Sequence, residues 1–245
     1  MIGKRHDAVS SRVSYEERVT PQERYSREIC DVGRRMYESG LILACAGNLS
    51  IRLDAERILT TPACANKGKL TPDDLVTIDL DGRQLTGERS VSSEVGMHLL
   101  FYRMRPDVQA VCHAHPPTAT AIASSTGLGI KEIDFLVLGK LLCAVPLAPY
   151  ATPGTDDLSS SLEPHVRQHS VILLANHGVV TCGPNLFVAF QQMAVLEQQA
   201  KIILNSCLLN ARQLSIRRTL GRFSSVVEKD RSASYPCDSD RVDRA

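Results

Sequence analysis

Val108-Gln109-Ala110-Val111-Cys112-His113-Ala114-His115-Pro116 is the stretch on which the reading of the whole chain turns. Its apolar and β-branched residues alternate, which predicts a strand over Val108 to His115. Side chains two apart on a strand point to one face, so His113 and His115 can hold a single ion between them. The dipeptide alone leaves this open against two satisfied histidines near a strand end. Imidazole pairs suit zinc, with iron, nickel or cobalt as further choices.

Working outward, Val171 to Ala175 reads as a buried strand and Val179-Val180-Thr181 as another, with Asn176-His177-Gly178 between them. A histidine in such a loop, beside a glycine that lets backbone approach closely, is expensive as a mere core residue. Three histidines would leave a tetrahedral ion one open position, which is the catalytic rather than the structural arrangement. Upstream, Ser92-Ser93-Glu94 precedes the amphipathic run Val95 to Met104, so a helix is expected to start at the serines. Glu94 then reads either as a capping carboxylate in the first turn or as a general base near the metal. His98, four residues later, reads as a partly buried helical side chain, and His165 and His169 fall in a polar stretch.

The remaining pattern is one of strands early and helices alternating with strands later. Gln22 to Ser39 has helical spacing of Tyr25, Ile29, Val32, Met36 and Tyr37, closed by Gly40. Leu49 to Leu53 and Arg57 to Thr61 read as a hairpin, Thr71-Pro72-Asp73-Asp74 as a single helical turn, and Val76 to Leu80 as a half-buried strand. Ala119 to Ser124 suggests a short helix, Leu136 to Leu147 is mostly apolar, and Asn185 to about Asn210 is a long helix. A mixed sheet covered by helices, in the three-layer α/β class, follows. Residues 1–20 read as a flexible arm, 21–222 as one folded domain, and the Ser- and Asp-rich 223–245 as a disordered tail.

The 245 residues are 43% hydrophobic and 22% charged with a formal net charge of +1. That balance supplies no field to draw nucleic acid or anionic lipid. Apolar stretches break well before the roughly 18 residues that span a bilayer, and no apolar leader is evident. Eight cysteines without a C-x-x-C pair fit reduced thiols in the cytoplasm.

Taken in order, Ala46-Gly47-Asn48-Leu49-Ser50, Leu70 to Val76, Ser92-Ser93-Glu94, His113-Ala114-His115-Pro116, Val145 to Tyr150 and Asn176-His177-Gly178 resemble the class II aldolase/adducin family over roughly residues 21 to 215. The resemblance is closest to bacterial L-fuculose-phosphate aldolases. It implies an α/β/α sandwich around a mostly antiparallel mixed sheet, dependence on zinc (Zn2+, with Mn2+, Co2+ or Fe2+ as alternatives), and a homotetramer with active sites at subunit interfaces. By the same resemblance His113, His115 and His177 are the metal ligands, Glu94 is the acid/base carboxylate, and Gly47, Asn48, Ser92 and Ser93 bind the substrate anion.

Three positions depart from the fuculose-phosphate pattern: Cys45, Ala63 and Cys64 replace two hydroxyl residues and a glycine. Thr60, Thr61, Asn66 and Lys67 lie near enough in sequence to compensate. Phe135 falls near the slot of a tyrosine that serves as proton donor to the aldehyde fragment. The implied activity is retro-aldol cleavage of a ketose 1-phosphate, similar to L-fuculose 1-phosphate, through a metal-stabilised enediolate. A decarboxylase or epimerase using the same metal site is the alternative, and an adducin-like binding protein the non-enzymatic one. The expected partner is a small sugar-phosphate-like substrate, with no nucleic acid and no membrane.

Overall fold

The computed structural model of the chain describes residues 20–125, 132–133 and 145–232. Phe135 and residues 136–144 lie outside them. Two compact units divide the chain, Met1–Lys201 and Ile202–Ala245, and the sheet belongs to the first.

Helix α1 (Pro21–Glu38) begins at a reciprocal cap: Glu23 N–H donates to Thr20 Oγ1 at 3.2 Å, and Thr20 N–H donates to Glu23 Oε2 at 2.8 Å. Pro21 sits where its missing N–H costs nothing. Ile29, Val32 and Met36 face inward, whereas Tyr37 of the expected stripe stays exposed. The hairpin strands are β1 (Asn48–Arg52) and β2 (Arg57–Thr60), followed by β3 (Val76–Asp79) and a short β4 (Gln84–Thr86). Helix α2 covers Val95–Met104, strand β5 Ala110–Ala114 and helix α3 Pro117–Ser124. Thereafter come β6 (Glu132–Ile133), β7 (Val145–Ala148), α4 (Asp156–Val166), β8 (Val171–Leu174), β9 (Gly178–Gly183) and α5 (Leu186–Ser232).

Among the described residues one sheet runs in the order β4-β3-β2-β1-β5-β9-β8-β7-β6. Its pairings are antiparallel except β7 with β8. The expected α/β sandwich on a mostly antiparallel mixed sheet is therefore the observed one. Strand β5 lies between β1 and β9, is buried along its length, and sets the register of the site. His113 lies across from Asn48 on one side and Val180 on the other, so these three residues share a face. Val111, Val180 and Cys182 on that face pack with Met97, Phe101 and Tyr102 of α2 and Leu158 and Leu162 of α4. The opposite side of β1 meets α1, where the Cβ that Gly33 lacks would come 3.6 Å from Leu49 Cδ1.

Two boundaries differ from expectation. Helix α2 starts at Val95 rather than at the serines. Helix α5 continues through Ser232, past Asn210 and through the first ten residues of the segment 223–245 expected to be a disordered tail. The expected stop rested on falling apolar content, which signals loss of packing rather than loss of helix. No proline interrupts the sequence between Pro184 and Pro236.

Candidate metal centre

His113 belongs to β5, His115 follows its last residue, and His177 sits in the β8–β9 turn just before Gly178. The sheet register brings the end of β5 beside that loop, because Ala114 pairs with Val179. One ligand atom from each imidazole lies within 4.8 Å of the others. His113 Nδ1 is 2.9 Å from the Val179 carbonyl oxygen. A carbonyl only accepts, so in the neutral ring the hydrogen is on Nδ1 and Nε2 presents its lone pair to the cluster. That Nε2 stands 3.1 Å from His115 Nε2.

Glycines make this convergence possible. A Cβ on Gly178 would come 2.5 Å from the Ala114 carbonyl oxygen and 2.6 Å from His115 Cδ2. Gly47 has φ +69°, and a Cβ there would come 2.5 Å from the His113 carbonyl oxygen. Both are places where only glycine fits.

Glu94 occupies the N-cap position of α2, yet its carboxylate makes no capping hydrogen bond. Its oxygens turn to the histidines instead: Glu94 Oε1 is 3.0 Å from His177 Nε2 and Oε2 is 3.5 Å from His113 Nε2. Asn48 Nδ2 donates to Glu94 Oε2 at 2.9 Å and to Ser92 Oγ at 3.2 Å. Burial pushes the Glu94 carboxyl up, but the His177 hydrogen bond, the histidine charges and the Asn48 amide outweigh it and hold it down at about 2. Burial holds His113 down at about 3 and also lowers His115. With His113 thus neutral at pH 7, the hydrogen bonds from Asn48 and His177 are the pulls that keep Glu94 anionic.

The donor set fits a divalent cation. Three imidazoles converge, His113 and His115 are held neutral by burial, and His177 Nδ1 is buried without a hydrogen-bond partner. His165 and His169 lie outside this group and meet edge to face, with ring centroids 6.3 Å apart.

The anion positions are only partly gathered. Asn48 meets the Glu94 carboxylate and the Ser92 hydroxyl, which also accepts from the Glu94 N–H, while Gly47 lies against the His113 carbonyl and Ser93 is exposed beside Gly154. Of the compensating residues, Thr60 donates to the Leu49 carbonyl at 3.2 Å, Thr61 Oγ1 accepts from Leu49 N–H at 3.1 Å, and Asn66 Oδ1 accepts from Gly68 N–H at 2.9 Å. Lys67 is buried, and its Nζ donates to the Cys45 carbonyl at 2.9 Å. An ammonium has three N–H groups, so Lys67 keeps spare donors beside the exposed Cys45 and Cys64, whose thiol and carbonyl meet at 3.3 Å.

Sequence reasoning missed the residues behind Asn48. His98 is fully buried and uses both ring nitrogens, on Asn48 Oδ1 and on Ser50 Oγ. The signal was present in two matching periods: Asn48 and Ser50 two apart on a strand, Glu94, His98 and Tyr102 four apart along a helix.

Residues 27–204 match the family described as Class II Aldolase and Adducin N-terminal domain. The chain belongs to this family. Within it, the chain is 33% identical over 195 residues to the 3-oxo-tetronate 4-phosphate decarboxylase of Pectobacterium atrosepticum, covering 77% of this chain and 87% of the relative. It is 34% identical over 179 residues to the 5-deoxy-D-ribulose 1-phosphate aldolase of Bacillus thuringiensis, covering 71% and 82%. The crystal structure of L-fuculose-1-phosphate aldolase from Thermus thermophilus superposes with a TM-score of 0.67 at 30% identity, covering 75% of this chain and 94% of that one. The class II aldolase fold and an enzyme lineage follow for this chain, with decarboxylases among its relatives as well as aldolases.

Proposed function

We propose that this class II aldolase family member is a metal-dependent carbon–carbon lyase that decarboxylates a phosphorylated β-keto acid of the 3-oxo-tetronate 4-phosphate type. The single observation that carries the reading is that Glu94 is the one carboxylate paired with the histidine cluster among the described residues. Loss of CO2 from C1 of such an acid leaves the C1–C2 electron pair as an enediolate over C2 and C3, and no proton is removed. One proton delivered to C2 completes the reaction and gives dihydroxyacetone phosphate. A single acid/base group suffices. Retro-aldol cleavage of a ketose 1-phosphate leads to the same enediolate but also needs a base for the C4 hydroxyl, and no described residue is placed for that step. Ketose 1-phosphate cleavage, the first expectation from sequence, therefore becomes the second reading, kept because two of the relatives above carry aldolase names.

His113, His115 and His177 would hold the ion, which when bound supplies Lewis-acid polarisation of the substrate carbonyl. Zinc suits three imidazoles best, with Mn2+, Co2+ or Fe2+ as alternatives. Glu94, anionic at rest, is a base toward the C–H of the product and, once it has taken a proton from water, the acid that protonates the enediolate. Gly47, Ser92 and Ser93 together with Lys67 offer donors to the substrate anion, and Asn48, whose two amide hydrogens go to Glu94 and Ser92, orders the group beside it. We further propose a homotetramer in the cytoplasm. Supporting this setting, Cys30, Cys45, Cys64, Cys112, Cys182 and Cys207 are free thiols, and no described helix is long and apolar enough to cross a membrane.

The zinc-loaded enzyme, offered 3-oxo-tetronate 4-phosphate, L-fuculose 1-phosphate and unphosphorylated ketoses, should release CO2 from the first. Aldehyde from the ketose phosphate with no CO2 from the keto acid would instead establish the second reading.

A further inference from the structure

Behind Glu94 a line of buried side chains runs into the core. Asn48 Oδ1 meets His98 Nε2, His98 Nδ1 lies 2.7 Å from Ser50 Oγ, and Ser50 Oγ lies 2.7 Å from the Tyr102 hydroxyl. Asn48, Ser50, His98 and Tyr102 are each 3% exposed or less. The direction of every hydrogen bond follows from the end that allows no choice. A carboxylate only accepts, so Asn48 turns its N–H to Glu94 and its oxygen to His98. His98 Nε2 must then carry the hydrogen, and the neutral ring leaves Nδ1 to accept from Ser50, whose oxygen accepts from Tyr102. Burial keeps His98 neutral, with its titration pushed down to about 4. Arg52 fixes the far end, donating to the Tyr102 carbonyl at 2.6 Å and lying 4.9 Å from the centre of its ring.

We propose that His98 is a positioning residue which, oriented by Ser50 and Tyr102, locks the Asn48 amide with its N–H toward Glu94 and so holds that carboxylate aimed at the histidine cluster. The two ends of an amide are nearly alike in shape, and only their partners distinguish them. Were the Nε2 hydrogen of His98 removed, the Asn48 oxygen would lose its donor, and the turned amide would set that oxygen against the Glu94 carboxylate. The inference rests on the reading of Glu94 as the proton shuttle.

The test uses a step shared by both lyase readings, exchange of the dihydroxyacetone phosphate hydroxymethyl hydrogen with deuterium from solvent by the zinc-loaded enzyme. His98→Leu should lower kcat for exchange about 10-fold or more, the size expected for losing one hydrogen bond to a charged group, with KM and zinc content unchanged. His98→Gln, whose amide N–H stands in for Nε2–H, should restore most of the rate. If His98→Leu fails to fold, Ser50→Ala decides: it frees His98 to take the other tautomer, and exchange should slow. Independently of turnover, histidine-labelled 15N spectra should show His98 in the Nε2–H form.

Parent-rate exchange by folded, zinc-bound His98→Leu or by Ser50→Ala overturns the inference, as does an Nδ1–H tautomer for His98. Parent-rate exchange by Glu94→Gln, or no exchange by the parent enzyme, fails the underlying reading instead, and the tautomer still decides the amide lock.

Discussion

Glu94 shows how far one residue's role is decided by what it touches. Its place before an amphipathic helix reads by itself as a cap and, beside a metal, as a base; in the structure its carboxylate makes no capping hydrogen bond and turns toward His177 and His113. Glu94→Gln keeps the shape but cannot take a proton, so it should retain about one metal per chain and lose roughly 100-fold or more in turnover. Near-parent turnover would return the residue to a structural part. Replacing His113, His115 or His177 by Ala should empty the site, whereas His98→Gln should leave metal content unchanged; full occupancy in any of the three Ala variants would refute the ligand assignment. His98 also carries a pH signature. Its folded-state titration lies near 4, below the ordinary value of about 6.5, so between those limits the unfolded chain binds more protons and stability must fall as pH drops from 6.5 toward 4. Glu94 is the charged group that opposes this shift. His98→Gln should flatten that part of the Tm-against-pH curve, and an unaltered slope would exclude His98 as its source.

At the level of elements, strands were legible because their signal is local. The alternation of Val108 to His115 and the apolar run of Val171 to Ala175 both fall on observed strands, and Gly40 and Gly82 mark turns at positive φ. What alternation could not reveal is pairing partners, and pairing sets the site. Asn48 faces Glu94 because β1 and β5 place it opposite His113, a fact of register that no single segment contains. Glycine at the crossings is the local trace of this non-local demand. Gly47→Ala would combine a left-handed φ with a Cβ 2.5 Å from the His113 carbonyl oxygen. A loss of at least about 1 kcal/mol in denaturant unfolding is expected, with weaker metal retention because His113 must shift. An unchanged unfolding midpoint would show that β1 and β5 separate without cost.

For the whole molecule, the family and the α/β layering were readable from motif order, and of those motifs Asn48, Glu94, His113, His115 and His177 come together in space. The extent of α5 was not, because helix persistence through Ser232 depends on the absence of a breaker rather than on any apolar stripe. Assembly is likewise invisible to one chain. A homotetramer would elute near four times the 26.8 kDa chain mass, and a fully active monomer in sedimentation at assay concentration would contradict an interface-built site.

Cys45 and Cys64, exposed beside the Lys67 ammonium, have a practical consequence. Thiols beside the proposed anion subsite would report its occupancy, so candidate ligands can be ranked by how well they shield these two cysteines from alkylation, before any product has been detected. Iodoacetate, drawn by the ammonium, should label them faster than neutral iodoacetamide relative to the exposed Cys207. Lys67→Met should abolish that preference.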